Sequence, residues 1–353
     1  MAGMDSHLIT ADGTEHEASA ESVRRLIDAS ARFWLDLTVA DGTDQDGSAL
    51  ALLRDVFGFH PLALEDAEHF GQRPKVDGYD DVAVIVVYGA TESGHLAEVH
   101  CFYSGTYLVT VHRVACPQLA DVAHRLREQP VLMADHVMVL YRVVDTLVDG
   151  YFPVLAQLDD QIDTLEDEIL QRPTDQQLGV LFDMKRSLIA MRKVVTPQRD
   201  MFASLLTDPD LLPGMTREAE RYFRDLYDHL IRISDLVDSY RDLISGALDT
   251  HLATVSNRLN VVMKQLTIIA TIFLPITFLT GFFGQNFAWM VVRITSLPAF
   301  LIVGIGLQAV VVVGLVVVFR RRGWLSGDGT VPPARPADRS RLSLPERWHT
   351  LRH

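Results

Sequence analysis

A chain of 353 residues, 48% of them hydrophobic, holds enough apolar material for one sizeable soluble core and a further apolar part. The chain has a formal net charge of −14, and its acidic excess lies upstream of His251, which sets that part against nucleic acid and makes it attractive to cations. Two cysteines, Cys101 and Cys116, are too few for a disulfide framework and fit reduced thiols in a cytosolic setting.

Residues 1–25 are polar and small and are expected to form a flexible N-terminus. Met1 to Glu21 has no apolar core of the signal-peptide kind, so this end is expected to stay in the cytoplasm. Residues 26–115 read as a cytoplasmic α/β part. Phe33 to Leu37 has the look of a strand, Gly47 to Phe57 of a helix stopped by Gly58, and Pro61 opens a second helix through Ala67. Val82 to Tyr88, Glu98 to Tyr103 and Tyr107 to His112 are strand-like runs separated by turn residues. Residues 116–221 read as helical, with helices over Pro117 to Glu128, Met133 to Leu170 and Asp175 to about Ser204. The predicted class is therefore an α+β cytoplasmic domain.

Beyond this domain runs one long helical pattern that meets no proline between Tyr222 and Pro275. From Gln265 to Val292 no residue carries a formal charge, and none does from Ile294 to Phe319. A bilayer needs about 20 apolar residues per helical span, so two transmembrane helices fit. The expected layout is a stalk and first span over 222–286, an extracytoplasmic loop over 287–297, a second span over 298–320 and a basic cytoplasmic tail over 321–353. At about 1.5 Å per residue the first helix is roughly 90 Å long, so its upstream part projects as a stalk. Arg258 and Lys264 before the first span, and Arg320, Arg321 and Arg322 after the second, place both termini in the cytoplasm of a multi-pass plasma-membrane protein.

Along the first span, small and polar residues recur at heptad spacing. One row is Asn260, Thr267, Leu274, Gly281 and the other is Met263, Ala270, Thr277, Gly284. Such a face suits either close packing through small residues or a water-filled pore shared by several copies. Elsewhere the acidic run from Asp145 to Glu168 suits a solvated face, or a weak Mg²⁺ or Ca²⁺ site built from oxygen ligands. His60, Glu65 and His69 fit a surface turn better than a metal site, because no single helical face holds all of them. There is no phosphate-cradling glycine loop, nucleophile elbow or paired-cysteine motif, so no enzyme is expected.

Several segments in order carry a family resemblance: His60-Pro61-Leu62-Ala63-Leu64-Glu65-Asp66, Gln72-Arg73-Pro74-Lys75, Leu108-Val109-Thr110-Val111-His112, Tyr222 to His229, and Met263-Lys264 through Pro275-Ile276-Thr277. With the turn Gly284-Gln285-Asn286 they resemble the CorA family of divalent-cation transporters, whose hallmark there is Gly-Met-Asn. The resemblance implies a funnel-shaped homopentamer whose pore is lined by the first span and which moves Mg²⁺, and Co²⁺ or Ni²⁺ with it. It puts the selectivity residue at Asn286, further pore positions at Thr277 and Asn260, and an apolar constriction at Met263 and Leu266. It also implies gating by cytoplasmic Mg²⁺ bound between subunits, with Asp225 as one ligand and a partner between Thr91 and Gly94, where Glu92 is the matching acid and Ser93 the alternative position. The expected partners are self, membrane lipids and divalent cations. Two departures stand out: Gln285 replaces the family's Met, and the outer loop has Arg293 in place of an acidic sequence. They keep open a Zn²⁺ transporter, with or without proton coupling, and a non-conducting membrane-anchored Mg²⁺ sensor.

Overall fold

A computed structural model of the chain describes residues 5–16, 18–39, 48–91, 93–285, 288, 292 and 296–325. By internal contacts the chain divides into two compact units, Met1–His251 and Leu252–His353.

The first unit is built on a seven-stranded sheet of order β2-β1-β3-β7-β6-β5-β4. The strands are β1 (Asp5–Thr10), β2 (Glu15–His16), β3 (Phe33–Thr38), β4 (Lys75–Tyr79), β5 (Val82–Ala90), β6 (Leu96–Tyr103) and β7 (Tyr107–His112). All pairs are antiparallel except β3 with β7, which run parallel with Phe33 opposite Tyr107. Strand alternation sends Leu8, Phe33, Leu35, Val84, Phe102 and Val109 to one face, where they pack with α1 (Ala20–Asp28), α2 (Ser48–Asp55) and α3 (Pro61–Glu68). Ile9, Trp34, Ile85, Cys101, Tyr103 and Leu108 point to the other face. There they meet α4 (Pro117–Glu128), α5 (His136–Asp149), α6 (Tyr151–Gln171), α7 (Asp175–Thr207) and the first part of α8 (Arg217–Phe283). Burial on both faces explains why β5 reads as a near-continuous apolar run rather than an alternating one. Both cysteines are free and buried.

Two expectations are corrected, and one further strand is added. The segment expected to be a flexible N-terminus supplies β1, β2 and most of α1, and β1 pairs with β3 along its whole length. Only Leu8 and Ile9 in β1 are strongly apolar, so the pairing edge of β3 fixes this strand more than any pattern of its own. The edge strand β4 escapes a pattern-based reading for a similar reason, since Lys75-Val76-Asp77-Gly78-Tyr79 stays partly exposed. The helix expected from Met133 to Leu170 is two helices joined at Gly150, where an added Cβ would collide with the Ala90 carbonyl oxygen. Glycine lets that corner close onto the end of β5.

One buried contact closes the β5 edge beyond the end of β4. The Gln198 side chain of α7 accepts from the Tyr88 backbone N–H at 2.7 Å and donates to its carbonyl at 3.2 Å. A single amide thus replaces a missing strand partner.

In the second unit, α8 from Leu252 onward runs antiparallel to α9 (Leu307–Arg321). Lys264 Nζ reaches Gly323 O at 3.5 Å at one end of this pair, and Gln308 Nε2 reaches Thr280 Oγ1 at 3.3 Å toward the other. Half-buried residues recur along α8 as Val261, Lys264, Ile268, Thr271, Pro275, Leu279 and Phe283, a seam at spacings of three and four. The chain enters α9 through a π-helical stretch, Phe300–Gly306. It leaves through a left-handed Gly323 with φ +69°, whose N–H bonds Arg320 O at 3.0 Å while Trp324 N–H bonds Phe319 O at 2.8 Å. Trp324 stacks on Phe319 with centroids 5.7 Å apart, completing a Schellman stop. Both α8 and the helical stretch Leu301–Arg321 are long and apolar enough to cross a membrane.

Candidate metal site and pore face

Packing of α5 against the start of α8 brings together pairs that each repeat at i, i+4. Asp145 and Asp149 lie on one face of α5, and Asp225 and His229 on one face of α8. His229 Nδ1 is 3.6 Å from an Asp149 oxygen and 3.9 Å from Asp145 Oδ1, and His229 Nε2 is 3.8 Å from Asp225 Oδ2. These distances are too long for hydrogen bonds. Asp145 Oδ1 and His229 Nδ1 are both buried atoms with no hydrogen-bond partner.

The electrostatics agree with the geometry. Burial first, and then the neighbouring Asp149 charge, push the Asp145 carboxyl from 3.8 up to about 6, against the opposing effects of His229 and a Tyr141 hydrogen bond. Burial also raises Asp149, again against His229. Phe152 stands edge-on to the His229 ring at 5.8 Å and walls one side of the cluster. Carboxylates gathered without mutual hydrogen bonds are what a divalent cation needs and what a protein otherwise avoids.

Among the described residues, Asp145, Asp149 and His229 form the group whose ligand atoms all lie within 4.8 Å of one another. Adjacent ligands of an octahedral Mg²⁺ stand about 3 Å apart, given bonds of about 2.1 Å. The wider spacing suits an ion that keeps part of its water, with Asp225 within reach at the rim. Asp225 itself is 61% exposed and open to a further partner.

The sequence singled out Asp225 but not this set. Its signal was the i, i+4 spacing on both helices, yet which faces of α5 and α8 meet is settled only by packing. The alternative cluster at His60, Glu65 and His69 is not assembled. His60 caps α3 by accepting from Leu62 N–H at 3.3 Å and stacks on Tyr79, while His69 Nδ1 turns back to Glu65 O at 3.1 Å. The matching acid Glu92 lies outside the described residues, as do Asn286 and Arg293.

On α8 the small-and-polar stripe avoids the α9 seam. Asn260, Met263, Thr267, Ala270, Leu274, Thr277, Gly281 and Gly284 are all exposed in the single chain, as are Leu266 and Gln285. Thr267 and Thr277 donate their hydroxyls to Met263 O at 2.7 Å and Phe273 O at 2.9 Å, so each keeps oxygen lone pairs for whatever faces the stripe. The helix closes with Gly284 N–H on Thr280 O at 2.9 Å, and Gln285 N–H on Phe282 O at 3.3 Å.

Comparison with known proteins gives a consistent picture. Residues 33–321 match the profile described as CorA-like Mg²⁺ transporter protein. The cobalt/magnesium transport protein CorA of Thermotoga maritima is 37% identical over 315 residues, covering 86% of this chain and 87% of that protein. The zinc transport protein ZntB of Klebsiella pneumoniae is 30% identical over 271 residues, 74% of this chain and 79% of that one. The complete structure of the CorA magnesium transporter of Methanocaldococcus jannaschii superposes with a TM-score of 0.75 at 22% identity, over 92% of this chain and all of that one.

Proposed function

Because the chain belongs to the CorA-like Mg²⁺ transporter family, we propose that it is a homopentameric channel moving Mg²⁺, and Co²⁺ or Ni²⁺ with it, across the plasma membrane. The observation that carries this reading is the stripe on α8, polar and small yet left uncovered by α9. Hydrocarbon is a poor environment for Thr267 and Thr277, whereas a shared aqueous axis accommodates them. In a pentamer the stripe lines the pore, Met263 and Leu266 form its apolar constriction, and Gly284-Gln285-Asn286 forms its outer mouth. An amide ring suits Mg²⁺ because neutral carbonyls hold the hydrated ion without stripping its water. The membrane potential supplies about 4.6 kcal/mol per divalent ion at 100 mV, twice the single-charge value.

Gating follows from the acidic cluster. Mg²⁺ held by Asp145, Asp149 and His229, with Asp225 shared toward a neighbouring subunit and Glu92 answering from it, screens carboxylate repulsion and favours the closed assembly. Loss of internal Mg²⁺ then shifts the population open. Both termini lie in the cytoplasm in this arrangement.

His229 and the outer loop favour a second reading, a Zn²⁺ transporter, since imidazole is a better ligand for Zn²⁺ than for Mg²⁺ and Arg293 offers no attraction at the mouth. The test is uptake by the reconstituted full-length protein at 100 mV inside-negative, with Mg²⁺ and Zn²⁺ each measured with and without a proton gradient. Mg²⁺ flux independent of the gradient is expected. Gradient-dependent Zn²⁺ flux alone selects the second reading, and no flux of either ion leaves a non-conducting sensor.

A further inference from the structure

Between Leu301 and Phe319 every residue is aliphatic, glycine, alanine or phenylalanine except Gln308. A lone amide on a membrane helix needs a partner, and it has one 3.3 Å away in the hydroxyl oxygen of Thr280 on α8. That hydroxyl donates its proton to Ile276 O at 2.8 Å. Its oxygen can therefore only accept, which fixes the NH₂ end of Gln308 toward α8.

Thr280 also holds the end of the same helix, because its carbonyl takes the Gly284 N–H at 2.9 Å. One residue thus carries both the last turn before Gln285 and the cross-link to the second helix. Directly upstream of Gln308 the chain is π-helical over Phe300–Gly306, a coil that changes the phase of the residues after it and often marks a side chain held to a particular aim.

We propose that Gln308 is a positioning residue for the pore mouth. Through Thr280 it holds the final turn of α8, with Gly284 and Gln285 closing it, in one register against the second helix. This rests on the reading of α8 as the pore helix. Gln308 touches no ion itself and acts only through Thr280.

The test uses the full-length protein and the variants Gln308→Leu, Thr280→Val, Thr280→Ser and the Gln308→Leu/Thr280→Val double. Two quantities are read: the thermal midpoint in detergent, and the Mg²⁺-to-Na⁺ permeation ratio after reconstitution. Each of Gln308→Leu and Thr280→Val should lower the ratio about three- to tenfold, the factor that one hydrogen bond of ordinary strength carries. The double should do no worse than either single change in both readouts, and Thr280→Ser should keep the wild-type ratio. Additive losses in the double overturn the proposal, as does a shifted midpoint with an unchanged ratio, since that describes a merely structural bond. A wild-type protein that passes no divalent ion removes the channel reading and the pore-mouth role together, while non-additive midpoints would still establish the bond.

Discussion

Replacing Asp145 by Asn asks whether the junction of α5 and α8 is built for an ion. In the ion-free protein this carboxylate is held at a cost, because burial and Asp149 raise it from 3.8 to about 6. The difference of about 2 units corresponds to about 3 kcal/mol. Its side chain retains 23% exposure, so solvent screening reduces that to about 1–2 kcal/mol. The sign follows from linkage: a raised acid favours the folded state below 3.8, and that advantage is lost as pH rises through about 6. At pH 8 in EDTA, Asp145→Asn should therefore melt a few degrees above the wild type, and the gap should close below pH 4. Saturating Mg²⁺ should reverse the order, because a hundredfold excess over Kd stabilises the wild type by about 2.7 kcal/mol and the variant by much less. Thermal unfolding of the detergent-solubilised full-length protein, with exposed Asp163→Asn as control, measures both. A variant less stable than wild type in EDTA at pH 8, or equal Mg²⁺ stabilisation of both proteins, would refute the ion-site argument.

Three further outcomes are expected from the same structure. His136, 3% exposed at the start of α5, donates Nε2–H to Phe33 O at 3.1 Å, and burial, then the Arg32 charge, hold its pKa down from 6.5 to about 4. It therefore supports the fold above 6.5 and withdraws about 3 kcal/mol as pH falls through about 4, so His136→Gln should flatten the acid side of the stability profile, and an unchanged acid slope counts against this. Gly150→Ala should lower the thermal midpoint by an amount equivalent to about 2–3 kcal/mol, because the new methyl has no room beside the Ala90 carbonyl; wild-type melting would sink that account. Asp225→Ala should make flux less sensitive to internal Mg²⁺, and unaltered inhibition in a vesicle assay would argue against a regulatory ion there.

How much of this is legible in the sequence depends on whether a signal is local. β5 and α9 announce themselves because nearly every residue in them is apolar, as two packed faces require of a strand and as the length and composition of a potential membrane span require of a helix. The α8 stripe is legible because helical periodicity alone decides which residues share a face, and the structure adds that α9 occupies a different face. By contrast β1, β2 and β4 borrow their order from neighbouring strands, and Lys75-Val76-Asp77-Gly78-Tyr79 cannot be read as a strand without knowing that β5 lies beside it.

The metal cluster falls between these cases, and so does Gln308. Asp145 with Asp149, and Asp225 with His229, are spaced by one helical turn, so each pair is legible alone, but their meeting depends on the rotation of α5 about its axis. That rotation is set by apolar residues with no role in chemistry, among them Val144, Leu147 and Val148 on α5 and Phe223, Leu226 and Leu230 on α8, all buried in the same core. Gln308 is likewise recognisable as an oddity in a greasy helix, while Thr280 is identified as its partner only by the seam. In both places a polar group in a costly environment is the informative residue, because burial without a partner must be offset by something bound to it or bonded to it. For Gln308 the structure supplies the bond. For Asp145 and His229 it supplies neighbouring ligand atoms at the wrong distance for hydrogen bonds and a workable one for a partly hydrated divalent ion.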